Sequence, residues 1–199
     1  MSQKQISTKS KRVGQLLKCV SEGRFAIPKL QREFVWDGPK AAKLFDSIFA
    51  HMPIGVVMIW ETPRSQRLYL RQKYHVLPQF IDKNRNVWFL IDGQQRVSVL
   101  HQVREGSELE NARGKIIDFK RVVFSLEDEE NGQQIIYRKP VPEVYVSLTD
   151  ILHPHCRILP RNSTGFWVVE RAAARHTQPR SAAIRNRFGQ LAPQAAPVA

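Results

Sequence analysis

Apolar positions recur along this chain with two alternating periods. Val13, Leu16, Leu17 and Val20 fall at helical spacing, and Gly23 closes the run. Ser7, Thr8 or Ser10 is placed to cap that helix. Leu44, Phe45, Ile48 and Phe49 form a second stripe, started by Gly38-Pro39 and stopped by the turn at 53–55. Residues 56–60 are uninterruptedly apolar, which predicts a buried strand. Residues 62–85 carry Arg64, Arg67, Arg71, Lys73, Lys83 and Arg85, with turns at Pro63 and Pro78, and read as a surface excursion. A strand is predicted over 87–91 and a helix over 94–105, with Val97, Val99, Leu100 and Val103 as its apolar members. After a polar loop at 106–114, strand patterns at 119–126 and 134–138 flank an acidic turn. Ser147 to Asp150 opens a last helix that Pro154 cuts short. Short strands mixed with helices predict an α+β domain, a small mixed sheet with flanking helices.

The pattern fades beyond residue 152. Residues 154–199 contain no Lys, seven Arg, one Glu and nine Ala among 46 positions. The expectation is one domain over 1–152 and a poorly ordered Arg/Ala/Pro tail over 153–199. The abrupt change of residue usage also fits translation out of frame from about residue 153. Sequencing the locus tests that: an intact frame through the same tail rules it out.

Composition narrows the class. A chain of 199 residues, 42% hydrophobic, is long enough for one domain with a real core. Its longest apolar run, 54–60, is too short to span a membrane, and the N-terminal residues lack the apolar segment of a secretory signal. Cys19 and Cys156 are too few for a zinc site or a disulfide framework, so a cytoplasmic location is expected, with Cys19 a small buried hydrophobe. The net charge is +13, of which the tail carries +6. A polyanionic partner such as DNA and a merely solvated basic surface fit the remaining +7 equally well.

The chemistry concentrates at 90–96, Leu-Ile-Asp-Gly-Gln-Gln-Arg, where a strand turns into a helix. Unpaired amides and the helix dipole favour an anion at such a start. Gly93 permits close backbone approach, Arg96 offers a forked cation for phosphate oxygens, and Asp92 offers a carboxylate for Mg²⁺ or a water. A helix start capped by its own polar side chains accounts for the same residues.

A second stretch, 27–36, reads Ile-Pro-Lys-Leu-Gln-Arg-Glu-Phe-Val-Trp. This pattern, followed roughly sixty residues later by Ile-Asp-Gly-Gln-Gln-Arg, resembles the N-terminal domain of GmrSD-type modification-dependent restriction endonucleases, of the ParB/sulfiredoxin-like superfamily. The resemblance covers about residues 7–152. It implies a ParB/sulfiredoxin-like fold and a site that binds and hydrolyses a nucleoside triphosphate with Mg²⁺. Asp92, Gly93, Gln94, Gln95 and Arg96 match the signature residue by residue. In that picture Gly93 and the next amides cradle phosphate, Arg96 stabilises the transferring group, Asp92 holds Mg²⁺ or water, and Gln94 or Gln95 orients the attacking water. Gln31 and Arg32 converge on the same pocket. Trp36 is a candidate for base stacking, with a core position the stronger reading because Phe34 and Val35 flank it.

The resemblance also implies modified DNA as partner and a His-Asn-His nuclease domain supplied elsewhere. His153, His155 and His176 lack that nuclease's neighbouring residues, so this chain alone is not expected to cut DNA. The alternatives are a ParB-like DNA-binding regulator with a nucleotide switch, and an inactive truncated remnant. A sulfiredoxin-type reductase is disfavoured, because that chemistry needs a cysteine at the phosphate-binding turn and the turn at 92–96 has none.

Overall fold

A computed structural model describes residues 6–71, 75–81, 86–126, 132–140, 144–152, 156–159 and 168–171. Helix α1 is Val13–Ser21, and the short strand β1 is Phe25–Ala26. Helix α2 spans Gly38–Phe49 and β2 spans Met58–Thr62, followed by a 3₁₀ turn at Arg64–Tyr69. Strand β3 is Val87–Asp92, and α3 follows at Gln94–Glu105. A hairpin of β4 (Glu108–Glu110) and β5 (Ile116–Asp118) leads to β6 (Val122–Ser125). Then come β7 (Ile135–Tyr137), β8 (Tyr145–Ser147) and α4 (Leu148–Leu152). Strands β9 (Cys156–Leu159) and β10 (Val168–Arg171) pair antiparallel within the segment expected to be a tail, whose other residues lie outside the described ones.

Helices and small sheets together make the α+β class expected from the pattern. One sheet has the order β1-β3-β2, with β1 parallel and β2 antiparallel to β3. The other is antiparallel, in the order β7-β6-β8. Between them runs α3, buried on almost every side, as Val97, Val99, Leu100 and Val103 are together with Gln94, Gln95, Ser98, His101 and Gln102. The main core joins Leu100 and Val103 of α3 to Phe45 and Phe49 of α2, Phe119, Phe124, Ile135 and Leu148. A second cluster packs Val20, Phe25, Leu90 and Val97 between α1, α3 and the β1-β3-β2 sheet.

Several local expectations are corrected. Helix α1 starts later than its serines and threonine suggested: Arg12 is the cap residue, and its N–H donates to the Gln15 side-chain oxygen at 3.1 Å. Helix α2 is capped by Asp37, which accepts from the Lys40 amide. Residues 56–60 are not a buried strand. Strand β2 is the edge of its sheet, paired along one side only, and Val56, Met58 and Trp60 stay exposed, with the Trp60 ring stacked on Phe89 at 5.8 Å. The excursion after β2 is not all surface. Val76 and Leu77 are buried in the core clusters, and the Val76 carbonyl accepts from Gln102 Nε2. The polar loop at 106–114 contains β4, and Asn111 within it is buried. Cys19 is buried and free, as its place in the α1 stripe predicted. No helix among the described residues is long and apolar enough to cross a membrane.

His101 is the one buried group whose titration departs clearly from the ordinary value among the described residues. Burial depresses its pKa below 6.5, Glu105 opposes that shift and Arg104 reinforces it. Below 6.5 the unfolded chain takes up this proton more readily than the folded one, so the contribution is lost as pH falls toward the native value. Thermal melting of the wild type should therefore decline as pH drops below about 6.5, and His101→Gln should remove that part of the decline. Superimposable pH profiles for the two proteins would exclude the assignment.

Candidate functional site

Both glutamine–arginine segments meet at the N-terminus of α3. Strand β3 ends at Asp92, and Gly93 turns the chain with φ +86° and ψ 5°, a left-handed conformation that suits glycine. Val97 N–H then closes the first helical turn on the Gly93 carbonyl at 2.9 Å. No side chain caps this helix start. Asp92 does not bend back to the amides. Its carboxylate instead pairs with Arg96 Nη2 at 2.9 Å, one helical turn on. Capping by the local polar residues, one account of this turn, is therefore not what the structure contains.

The crossing segment at 31–36 is laid over the turn by side-chain amides. Gln31 Nε2 donates to the Ile91 carbonyl at 2.7 Å. Gln94 Nε2 donates to the Arg32 carbonyl at 3.1 Å, and Gln95 Nε2 to the Glu33 carbonyl at 3.0 Å. Gln95 Oε1 accepts from the Val35 amide at 2.9 Å, so this one side chain replaces a strand partner on both counts. Isolated extended backbone needs such partners because an unpaired buried amide or carbonyl is costly.

Expected site residues thus have distinct situations. Asp92, Gly93, Gln94, Gln95, Arg96, Gln31 and the Arg32 backbone are brought together. Gln94 and Gln95 are buried with their amide groups bonded to backbone, a positioning arrangement. The Arg32 side chain is exposed beside them. Gly93 is itself buried, and the space its missing Cβ leaves is taken by Val57, whose Cγ2 would lie 3.1 Å from such an atom. Trp36 packs against the main core and its carbonyl accepts from Asn111 Nδ2 at 3.1 Å. Trp36 is partly buried against the core, in line with the core reading.

Two further contributors escaped the sequence. Arg71 Nη1 donates to the Gln31 carbonyl at 3.0 Å, and its Nη2 pairs with Glu33 at 2.7 Å, so it braces the crossing segment from the other side. Asn111 holds Trp36, while the adjoining Ala112 amide donates to the Phe34 carbonyl at 2.8 Å. Nothing in the local pattern marks either residue, since both act through long-range backbone contacts.

Arg96 is mostly covered. Its Nη1 donates to the Ile54 carbonyl at 2.9 Å while Nη2 holds Asp92. A guanidinium has five N–H donors, and two of those of Arg96 are engaged in this way. Two cavities, of about 290 and 380 Å³, lie elsewhere on the β1-β3-β2 sheet. The first is lined by Ile27, Arg71, His75 and Phe80 among others, the second by Arg24, Glu61 and Trp88. Arg96 lines neither. Among the described residues, no group of three or more His, Cys, Asp or Glu could hold a metal ion.

Gln95 is the most informative residue to remove. Gln95→Ala should destabilise the protein by about 1–3 kcal/mol, because it orphans the Val35 amide and the Glu33 carbonyl together. Denaturant melts read this directly, and an unchanged midpoint would show that water replaces both bonds.

Over 100 residues the chain is 30% identical to an uncharacterised protein, MJ0686, of Methanocaldococcus jannaschii. That span is 48% of this chain and 17% of the relative, so the chain matches only a small part of that protein's length. The family described as GmrSD restriction endonuclease, N-terminal domain, matches residues 13–162, from the first residue of α1 to beyond β9. The crossing segment, the β3–α3 turn and every bond between them fall inside that match, and the chain belongs to the GmrSD restriction endonuclease N-terminal domain family.

Proposed function

We propose that this chain binds a nucleoside triphosphate at the β3–α3 turn and hydrolyses it, as the sensing part of a restriction system directed at modified DNA. One observation carries the reading: two polar segments about sixty residues apart are tied together over a helix start that no side chain caps, with a guanidinium held beside it. The first-turn amides of α3, at the positive end of its dipole, suit a phosphate group. Gly93 supplies the turn that aims them, and Arg96 the forked donors. Arg32, exposed on the crossing segment, supplies a second cation within reach of the same helix start. Gln31, Gln94 and Gln95 hold the two segments in register.

Asp92 is the carboxylate at this turn, and its side chain is 65% exposed. One carboxylate suits Mg²⁺ that arrives with the phosphates and keeps most of its waters, better than a resident metal. Magnesium bound in this way would neutralise phosphate charge. Cleavage of DNA would fall to a nuclease domain or subunit outside residues 13–162, and the basic surface would serve the DNA partner.

A second reading has its own support. The Gln94 and Gln95 amides are bonded to the crossing segment rather than turned toward solvent. They would then pass nucleotide occupancy to residues 31–36, as in a DNA-binding regulator that uses nucleotide as a switch.

Phosphate release from a nucleotide panel, with and without DNA, separates the two. Hydrolysis by the wild type should fall on the order of a hundredfold or more in Arg96→Ala, with the melting transition retained. Tight binding without release would favour the switch, and undiminished hydrolysis in a folded Arg96→Ala protein would remove Arg96 from this role.

A further inference from the structure

We infer that residues 52–57, the strap between α2 and β2, set the position of the Arg96 guanidinium, with Gly55 as the positioning residue. The inference rests on the triphosphate reading of the β3–α3 turn and extends it to a segment that contributes no charge.

The strap leaves α2 through His51, whose φ of 57° is the one left-handed non-glycine conformation among the described residues. It then passes directly over Arg96. The Ile54 carbonyl accepts from Arg96 Nη1 at 2.9 Å. At Gly55, with φ +87°, a Cβ would stand 2.6 Å from Nη1 and 3.4 Å from Cζ. Real Cβ atoms do not approach so closely, so a larger residue requires a shift, and the group in its way is the mobile end of the Arg96 side chain. Two residues on, Val57 packs on Gly93 at 3.1 Å from the place of its missing Cβ. Strap and turn therefore interlock through two glycines: Gly55 makes room for the arginine, and Gly93 makes room for the strap.

This arrangement does what a phosphate site needs. A free arginine carries considerable rotamer entropy, which a ligand must overcome on binding. Held by the Ile54 carbonyl on one side and the Asp92 carboxylate on the other, Arg96 presents its remaining donors in one place. Displacement by about an ångström in such a site costs on the order of a hundredfold in rate.

A purely conformational role for Gly55 would follow from its positive φ alone, and a double-mutant cycle distinguishes the two. Gly55→Ala and Gly55→Asn are made in the wild type and in Arg96→Ala. Asparagine tolerates a left-handed backbone but carries the same Cβ, so it separates backbone strain from contact with the guanidinium and keeps the test intact if the alanine variant fails to fold. ATP and GTP are the probes, read by binding and phosphate release. Gly55→Asn should lose roughly tenfold to a hundredfold relative to wild type and nothing further in the Arg96→Ala background. Equal losses in both backgrounds, or wild-type behaviour in Gly55→Asn, would overturn the role of the strap.

Failure of the triphosphate reading looks different. There the wild type and Arg96→Ala respond alike to nucleotide. The strap is still read by NMR of the Arg96 guanidinium, whose protons should be slow to exchange in the wild type and faster in Gly55→Asn. Unchanged exchange would dismiss the strap independently of any nucleotide.

Discussion

Everything around the β3–α3 turn depends on how residues 31–36 satisfy their backbone. This segment is extended, yet it belongs to no strand of the β1-β3-β2 sheet. Its amides and carbonyls find partners in side chains: Gln94, Gln95 and Arg71 supply most of them, and Asn111 takes the Trp36 carbonyl. Side-chain amides are well suited to the task, since each offers a donor and an acceptor at the spacing of a peptide group. The consequence is geometric. A segment that would otherwise be a free loop lies fixed across the start of the central helix, and Gln31, Gln94 and Gln95 take their places from it.

That constraint explains why the core is built as it is. Helix α3 is buried on nearly all sides, unlike the one-sided stripes of α1 and α2, and so Gln94, Gln95 and Gln102 are shut off from solvent. They are used instead. Gln94 and Gln95 tie the crossing segment, Gln102 ties residue 76, and Thr149 of α4 donates to the Val103 carbonyl at 2.8 Å. Buried polar groups of this kind specify which neighbours a helix accepts, whereas Leu100 and Val103 contribute packing that many neighbours could share. The same logic extends to the charged end of the site. Asp92 lies at the exposed rim, where solvent keeps the energetic value of its ion pair with the mostly covered Arg96 small.

The chain belongs to the GmrSD restriction endonuclease N-terminal domain family, and the match takes in both segments of the candidate site. The geometry adds which residues hold and which are held. Of the expected constellation, Gln31, Gln94 and Gln95 tie the crossing segment, Arg96 is held by Ile54 and Asp92, and Arg32 and Asp92 are exposed.

Much of the fold was legible in the sequence. Periodicity placed α3 at its observed bounds, located β3 to within a residue, and identified the buried stripes of α1 and α2, because these elements bury a regular face and local pattern suffices to show it. The glycine–glutamine–arginine turn between strand and helix was legible for the same reason. Tertiary structure alone decided the rest. Val56, Met58 and Trp60 are as apolar as any core strand, yet β2 fell at a sheet edge, and edge position is not encoded in a strand's own residues. Val76 and Leu77 sit among cations and became core, Asn111 sat in a polar loop and became a pin, and Gly55 marked an ordinary turn until Arg96 was found beneath it. In each case the deciding partner is distant along the chain, and a local pattern reports which face a residue wants to bury but not what it will meet there.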